Sequence, residues 1–372
     1  MSTSVTTNVP ERDSLARAPG KIILSGEHSV VYGAPALAVA VEHHTEVWFT
    51  PMHRAAGLRT AFENLSAGAT YPLDMLRSFK TGLDRRFDAF VRGDLPVREV
   101  LQRPDDLAVY TMASLHQFLP MPGVTSTRRL PTPGKLSSRS DLPLGAGMGS
   151  SASVIAATSV LYEALMALPQ TPEERFERVR FCERLQHGRG SAIDAAAVVY
   201  GGLIRVDDGE LSHPKLAESH GLADGQGWYW VLHGIPASPT GECVAAVREG
   251  FGSDKALWDA FAATTQALQD SLDGDTDPTD AIRKNHSLLN KIGVVPEDAA
   301  RFIEAVEAAG GAAKVSGAGA VRGDKAGVIL VHMDDPQAME TLMASYPDRR
   351  WERLRLSGSG AHLRRRANEP AA

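Results

Sequence analysis

The chain has 372 residues, 43% hydrophobic and 23% charged, which describes a folded globular protein with more polypeptide than one ordinary core accommodates, and so two domains. A formal net charge of −6 excludes a surface built on excess basic charge, so neither nucleic acid nor an anionic membrane is an expected partner, and anionic ligands are left to local sites. With only Cys182 and Cys243 there is no disulfide framework or cysteine-rich zinc site, and no apolar stretch approaches the roughly 20 residues that span a bilayer; a soluble, cytoplasmic protein is expected.

Residues 1–14 are polar without an apolar core, which reads as a flexible tail and not a signal peptide. Strands follow at Lys21–Leu24 and Leu37–Phe49, where Val39, Val41, Val47 and Phe49 supply β-formers. Around the first strand lies Ala18-Pro19-Gly20-Lys21-Ile22-Ile23-Leu24-Ser25-Gly26-Glu27-His28. A lysine opening an apolar strand either snorkels to the surface or stands beside a reacting oxygen as a compensating cation. Glu27 and His28 either bind a polar substrate or close a helix cap.

Residues 51–103 have no regular pattern apart from a helix near Leu73–Val91, and a second helix is predicted over Asp105–Leu119 from Ala108, Met112, Leu115 and Leu119. The stretch 120–143 reads as a loop plus a short polar strand. It leads into Gly145-Ala146-Gly147-Met148-Gly149-Ser150-Ser151-Ala152-Ser153, the most informative segment of the chain. Alternating glycines let backbone N–H groups converge on one point, and a helix beginning near Ser150 adds its positive dipole end. Paired hydroxyls at that place can cap the helix, bind phosphate or ligate Mg²⁺. The loop is neither a Walker A sequence nor a dinucleotide fingerprint.

The next helix opens on a capping box, Thr171-Pro172-Glu173-Glu174, and ends at Gly188-Arg189-Gly190. Glu183 lies late in that helix and Asp194 at the start of the following one, so the turn between them can fold both carboxylates toward one cleft. Two carboxylates near a phosphate socket suit a Mg²⁺-nucleotide enzyme, one for metal and one for the attacking hydroxyl; alternatively, they are a helix-end charge and an arginine partner. His187 reads as a structural helix-end histidine. Strands are predicted at Gly202–Val206 and Trp228–His233, with the polar stretch 207–227 between them as the junction of an N-terminal domain, 1–222, and a C-terminal domain, 223–372. The second half alternates helices near 240–250, 255–272, 278–292 and 297–309 with strands near 312–316 and 326–333, then a helix over 335–345 and a strand over 350–356, an α+β pattern. Within it Lys314-Val315-Ser316-Gly317-Ala318-Gly319 is a strand running into a glycine turn. Arg364-Arg365-Arg366 reads as a solvated end.

Together these segments resemble the GHMP family of small-molecule kinases, through APGKIILSGEHSVVYGAPALAV, DLPLGAGMGSSAS, ERLQHGRGSAID and, more weakly, Pro239-Thr240, the helix carrying Asn285 and KVSGAG. The resemblance implies a two-domain GHMP kinase fold, an N-terminal domain like ribosomal protein S5 domain 2 with a ferredoxin-like α+β C-terminal domain, and an active site between them. It implies ATP and Mg²⁺, and γ-phosphoryl transfer to a primary alcohol, with mevalonate the implied acceptor. Other implied readings are a kinase of the same family acting on phosphomevalonate, a sugar or a related alcohol, and a catalytically silent metabolite sensor. By the same resemblance Lys21 and Asp194 are catalytic, Ser151 and Glu183 hold Mg²⁺, and Gly145, Gly147, Gly149, Ser150, Ser151, Gly317 and Gly319 cradle ATP phosphates. Glu27, His28 and Thr240 face the substrate. A homodimer is left open. Two departures stand out: Ala192 replaces the usual glycine beside the aspartate, and Ala320, Val321 and Arg322 interrupt the third glycine motif, so that Arg322 or Lys325 either substitutes for backbone donors or leaves with a displaced loop.

Overall fold

The computed structural model describes residues 14–52, 57–63, 68–72, 75–117, 133–216, 221–274 and 276–365. The tail expected over residues 1–14 and the start of the 120–143 stretch thus lie almost wholly outside the described residues.

The chain forms two sheets. The first contains β1 (Ser14–Ser25), β2 (Ala36–Pro51), β3 (Leu58–Phe62), β4 (Thr70–Tyr71), β5 (Gly134–Ser140), β6 (Leu203–Asp207) and β7 (Glu210–Ser212). Its helices are α1 (Leu76–Val91), α2 (Asp106–Gln117), α3 (Ser150–Met166), α4 (Pro172–His187) and α5 (Ala192–Tyr200). The second sheet holds β8 (Trp228–Gly234), β9 (Ala312–Ser316), β10 (Gly327–His332) and β11 (Trp351–Arg353), connected through α6 (Thr240–Phe251), α7 (Lys255–Gly274), α8 (Thr279–Lys291), α9 (Glu297–Ala308) and α10 (Pro336–Ala344). Its order, β11-β8-β10-β9, places β10 antiparallel between β8 and β9, the split β-α-β arrangement of ferredoxin-like domains.

β2 organises the first sheet. Its sixteen residues pair with β1 along one edge, and with β6 and then β5 along the other. Both faces of its first half are covered, which is why Ala36-Leu37-Ala38-Val39-Ala40-Val41 is apolar without alternation. Ala36 and Ala38 join a core with Ile155, Leu161, Val179 and Val198 from α3, α4 and α5. Leu37, Val39 and Val41 join Ile22, Leu24, Trp228, Trp230, Leu268 and Leu330 in a second core shared by the two sheets. Burying side chains of this size stabilises by roughly 1.5–3 kcal/mol each, so the sheets are fastened along β1 and β2.

The helices expected in the second half fall within two residues of their predicted bounds, and the capping box forms, Thr171 Oγ1 accepting from the Glu174 N–H while Glu174 reaches back to Thr171 N. Two expectations are corrected. Residues 51–103, without a strand pattern in sequence, contribute β3, parallel to β5, and the short β4. The arginine-rich end does not simply trail into solvent: β12 (His362–Arg365) pairs antiparallel with residues 14–17 of β1. It is an edge strand, where charged side chains are at home, and it crosses the division expected at residues 222/223.

Candidate active site

The ladder between β1 and β2 slips between Pro19 and Gly20. Ala16 and Ala18 face the helices before the slip, whereas Ile23 faces them after it and Ile22 and Leu24 face the other core. Alternate residues of a strand share a face, so Lys21, two before Ile23, points to the helix side. Its side chain is only 4% exposed, and its ammonium lies 2.8 Å from Oδ1 of Asp194, whose side chain is 22% exposed. Asp194 stands in the first turn of α5, where Ser191 caps the helix by accepting from the Asp194 N–H.

The glycine loop ends on Gly149, the N-cap of α3, in a left-handed conformation (φ 72°). A Cβ there would stand 3.0 Å from Cγ of Lys21, so a side chain at this position is strained by its backbone and crowded by the lysine. No side chain among the described residues caps α3; Ser150 and Ser151 are inside the helix, and the capping role considered for them is not the one they take. The helix therefore presents its first N–H groups and positive dipole end without a side-chain partner, as an anion site requires.

From the first turn of α3 Ser151 Oγ donates to Glu183 Oε1 at 2.9 Å, and His187 Nε2 lies 3.4 Å from the same hydroxyl. Glu183 is buried, its Oε2 without a hydrogen-bond partner among the described residues; burial first, and the neighbouring Asp194 second, push its carboxyl up to about 8. A bound cation would relieve both effects. No group of three or more His, Cys, Asp or Glu side chains forms a metal cage among the described residues, but Mg²⁺ ordinarily keeps waters and takes one or two carboxylates together with substrate phosphates. The Ser151–Glu183 pair fits that donor set.

The other glycine motif meets the first. Gly317 approaches Gly147, a Cβ on Gly147 would stand 3.5 Å from the Ser316 carbonyl, and the Val328 N–H donates to the Ala146 carbonyl at 3.1 Å. Lys21, Ser151, Glu183, Asp194 and the loop 145–149 are thus gathered, with Gly317 alongside, while Gly319 packs against Val294. Thr240 opens α6 in an exposed position, on the segment where Ser238 Oγ accepts from the N–H groups of Val321 and Arg322. Arg322 makes a two-bond pair with Glu242, and Lys325 pairs with Asp298 at 3.3 Å, so neither side chain stands in for a backbone donor here.

Glu27 and His28 are turned inward. The Glu27 side chain is fully buried and pairs with Lys314, equally buried, while His28 Nε2 bonds the Ala318 carbonyl at 3.0 Å and burial holds its imidazole down at about 4. Glu27 therefore meets a lysine, not an open pocket, because β9 delivers an ammonium that cannot be buried unpaired. Sequence reading missed Lys314 and Ser316 as individuals and treated His187 as a helix end; their nearness to the cluster depends on the two sheets meeting.

A glycine cradle at an uncapped helix start, an ammonium–carboxylate pair and a hydroxyl–carboxylate corner stand together, the groups that phosphoryl transfer calls for. Residues 112–202 match the family model described as the GHMP kinases N terminal domain. Over 319 residues it is 27% identical to the mevalonate kinase of Pyrococcus furiosus, covering 82% of this chain and 86% of the relative. The mevalonate kinase structure of Methanococcus jannaschii shares its fold, with a TM-score of 0.70 at 17% identity over 94% of this chain and 99% of that one. So does the L. major mevalonate kinase crystallised with R-mevalonate, with a TM-score of 0.61 at 18% identity over 89% and 90% of the two chains. The expected two-domain α+β fold is borne out. No helix among the described residues is long and apolar enough to cross a membrane.

Proposed function

We propose that this chain transfers the γ-phosphoryl group of ATP to the primary hydroxyl of mevalonate, giving phosphomevalonate. Similarity to mevalonate kinases across most of both chains supports the reaction, and one observation in the structure supports the chemistry: the Lys21–Asp194 pair, 2.8 Å apart, beside the Ser151–Glu183 corner at the start of α3.

Phosphoryl transfer asks the protein mainly to align the hydroxyl and to compensate charge on oxygen. The N–H groups of loop 145–149 and of the first turn of α3 bind the phosphates, with Gly317 closing the cradle from the second sheet. Asp194 accepts a hydrogen bond from the acceptor hydroxyl and takes its proton as the new P–O bond forms. Lys21 holds the Asp194 carboxylate at 2.8 Å and lowers the cost of negative charge on the attacking oxygen. Ser151 Oγ and Glu183 are the residues that would hold Mg²⁺, which supplies charge neutralisation at the phosphates when bound. Thr240, exposed at the start of α6, is assigned to the acceptor side.

The test supplies ATP, Mg²⁺ and in turn mevalonate, phosphomevalonate, galactose and homoserine, and measures ADP. ADP formed with mevalonate alone supports the reading. ADP formed only with another acceptor moves the chain to a different activity of the family, and nucleotide binding without ADP makes it a sensor.

A further inference from the structure

The edge of β1 that β12 covers is covered only as far as Arg17. Beyond it, the backbone groups on that side are met by three other segments. Ser153 Oγ donates to the Ala18 carbonyl at 2.8 Å, and the Lys21 N–H donates to the Met148 carbonyl at 2.9 Å, tying the strand to α3 and to the glycine loop. At Ile23 both groups are taken by side chains of β9: the Ile23 N–H donates to Ser316 Oγ at 2.9 Å, and Lys314 Nζ donates to the Ile23 carbonyl at 3.2 Å. An unmet backbone N–H or C=O here would be a buried polar orphan, so these two side chains stand where a neighbouring strand would.

We propose that Lys314 and Ser316 are positioning residues for phosphoryl transfer: together they clip the open edge of β1 to β9 and so set where Lys21, two residues upstream, stands against Asp194. Lys314 can do this from a fully buried position because Glu27 neutralises it, which gives the acid of the first motif a reason to be there without touching substrate. The second Glu27 oxygen, Oε2, is buried without a hydrogen-bond partner among the described residues, so the pair is poorly replaced by any one-sided change. The clip also fastens the third glycine motif, whose Gly317 follows Ser316, to the strand that bears the reacting lysine. Cradle and cation thereby move as one unit across the junction of the two sheets. Displacing a reacting group by about 1 Å costs on the order of a hundredfold in rate, so a clip of this kind acts on turnover without contacting the substrate.

The inference rests on the kinase reading for its kinetic consequence but not for its geometry, and the experiment separates the two. Ser316→Ala removes one half of the clip with little risk to folding, and Ser316→Thr retains the hydroxyl. Lys314→Met combined with Glu27→Gln removes the other half without leaving a buried charge unpaired. Each variant is purified, its fold checked by thermal melting, its kcat and KM for ATP and mevalonate measured, and its crystal structure determined. The expected result is a folded double variant and a folded Ser316→Ala protein, each with kcat lowered by about tenfold to a hundredfold, KM for ATP within about threefold of the parent, and the Lys21–Asp194 separation opened beyond about 4 Å. Ser316→Thr restores kcat. Folded variants that keep the parent kcat and the 2.8 Å contact overturn the proposal. Should the double variant not fold, Ser316→Ala decides alone. If the parent forms no ADP with any acceptor, the kinase reading falls, and the Lys21–Asp194 separation still decides the clip.

Discussion

Two lysine–carboxylate pairs lie near each other in this protein, and they are made for different work. Lys21–Asp194 is open on its acid side, with Asp194 22% exposed beside an uncapped helix start. Lys314–Glu27 is sealed, both side chains at 0% exposure, with a backbone carbonyl as a further partner of the ammonium. On the proposed reading, the same two functional groups serve reaction chemistry where a ligand can approach one oxygen, and scaffolding where every approach is closed by protein. Burial, not residue type, separates the roles.

The comparison can be broken by exchanging the consequences. Glu27→Gln alone strands a buried ammonium and is expected to destabilise the fold by about 3–5 kcal/mol, read by denaturant unfolding; a loss under about 1 kcal/mol would mean the sealed pair is not sealed in solution. Asp194→Asn and Lys21→Met are expected to cut kcat by roughly a hundredfold or more with the melting temperature barely changed. Near-parent turnover in either would remove the chemical half of the contrast.

Two pH experiments sharpen it. His28, in the sealed region, has its folded value held down at about 4 by burial, against an ordinary 6.5. The unfolded chain then binds the extra proton between those values, so the stability His28 contributes is present above pH 6.5 and is lost as pH falls toward 4, by roughly 3 kcal/mol in total. Unfolding free energies measured across that range should fall with acid more steeply for the parent than for a folded His28→Gln variant. In the open region the sign is opposite. Glu183 is pushed up to about 8, so in the metal-free protein it contributes stability below pH 4.5 that is lost as pH rises through 8. Binding of Mg²⁺ and nucleotide near pH 7 should release up to about one proton, measured by calorimetry in buffers of different ionisation enthalpy, and Glu183→Gln should abolish the release. The smallest effect belongs far from both pairs: Thr171→Ala removes the capping box of α4 and should cost about 1 kcal/mol without altering kcat.

Much of the site was legible in the chain because its signals are local. The glycine alternation of 145–149 is needed wherever backbone turns N–H groups to one point, and the chain at Gly149 and Gly147 has the positive φ that glycine tolerates. The capping box before Pro172 and the glycine at 188 announced the helix that holds Glu183, since caps are satisfied within a few residues. β3 and β12 gave no such signal. β3 is a short strand whose pairing partner, β5, lies more than 70 residues away in sequence, and β12 is an edge strand whose arginines read equally well as a solvated tail.

The amino-acid order by itself determined most of the helices and the cradle and pointed to a family, because propensity, capping and glycine conformation act over a handful of residues. Tertiary structure decided which acid meets which lysine. Only the slip at Pro19/Gly20 turns Lys21 toward Asp194, and only the packing of β9 against the open edge of β1 brings Lys314 to Glu27, 287 residues away along the chain. A buried charge accepts whatever partner the fold delivers, and no spacing in the sequence records that delivery.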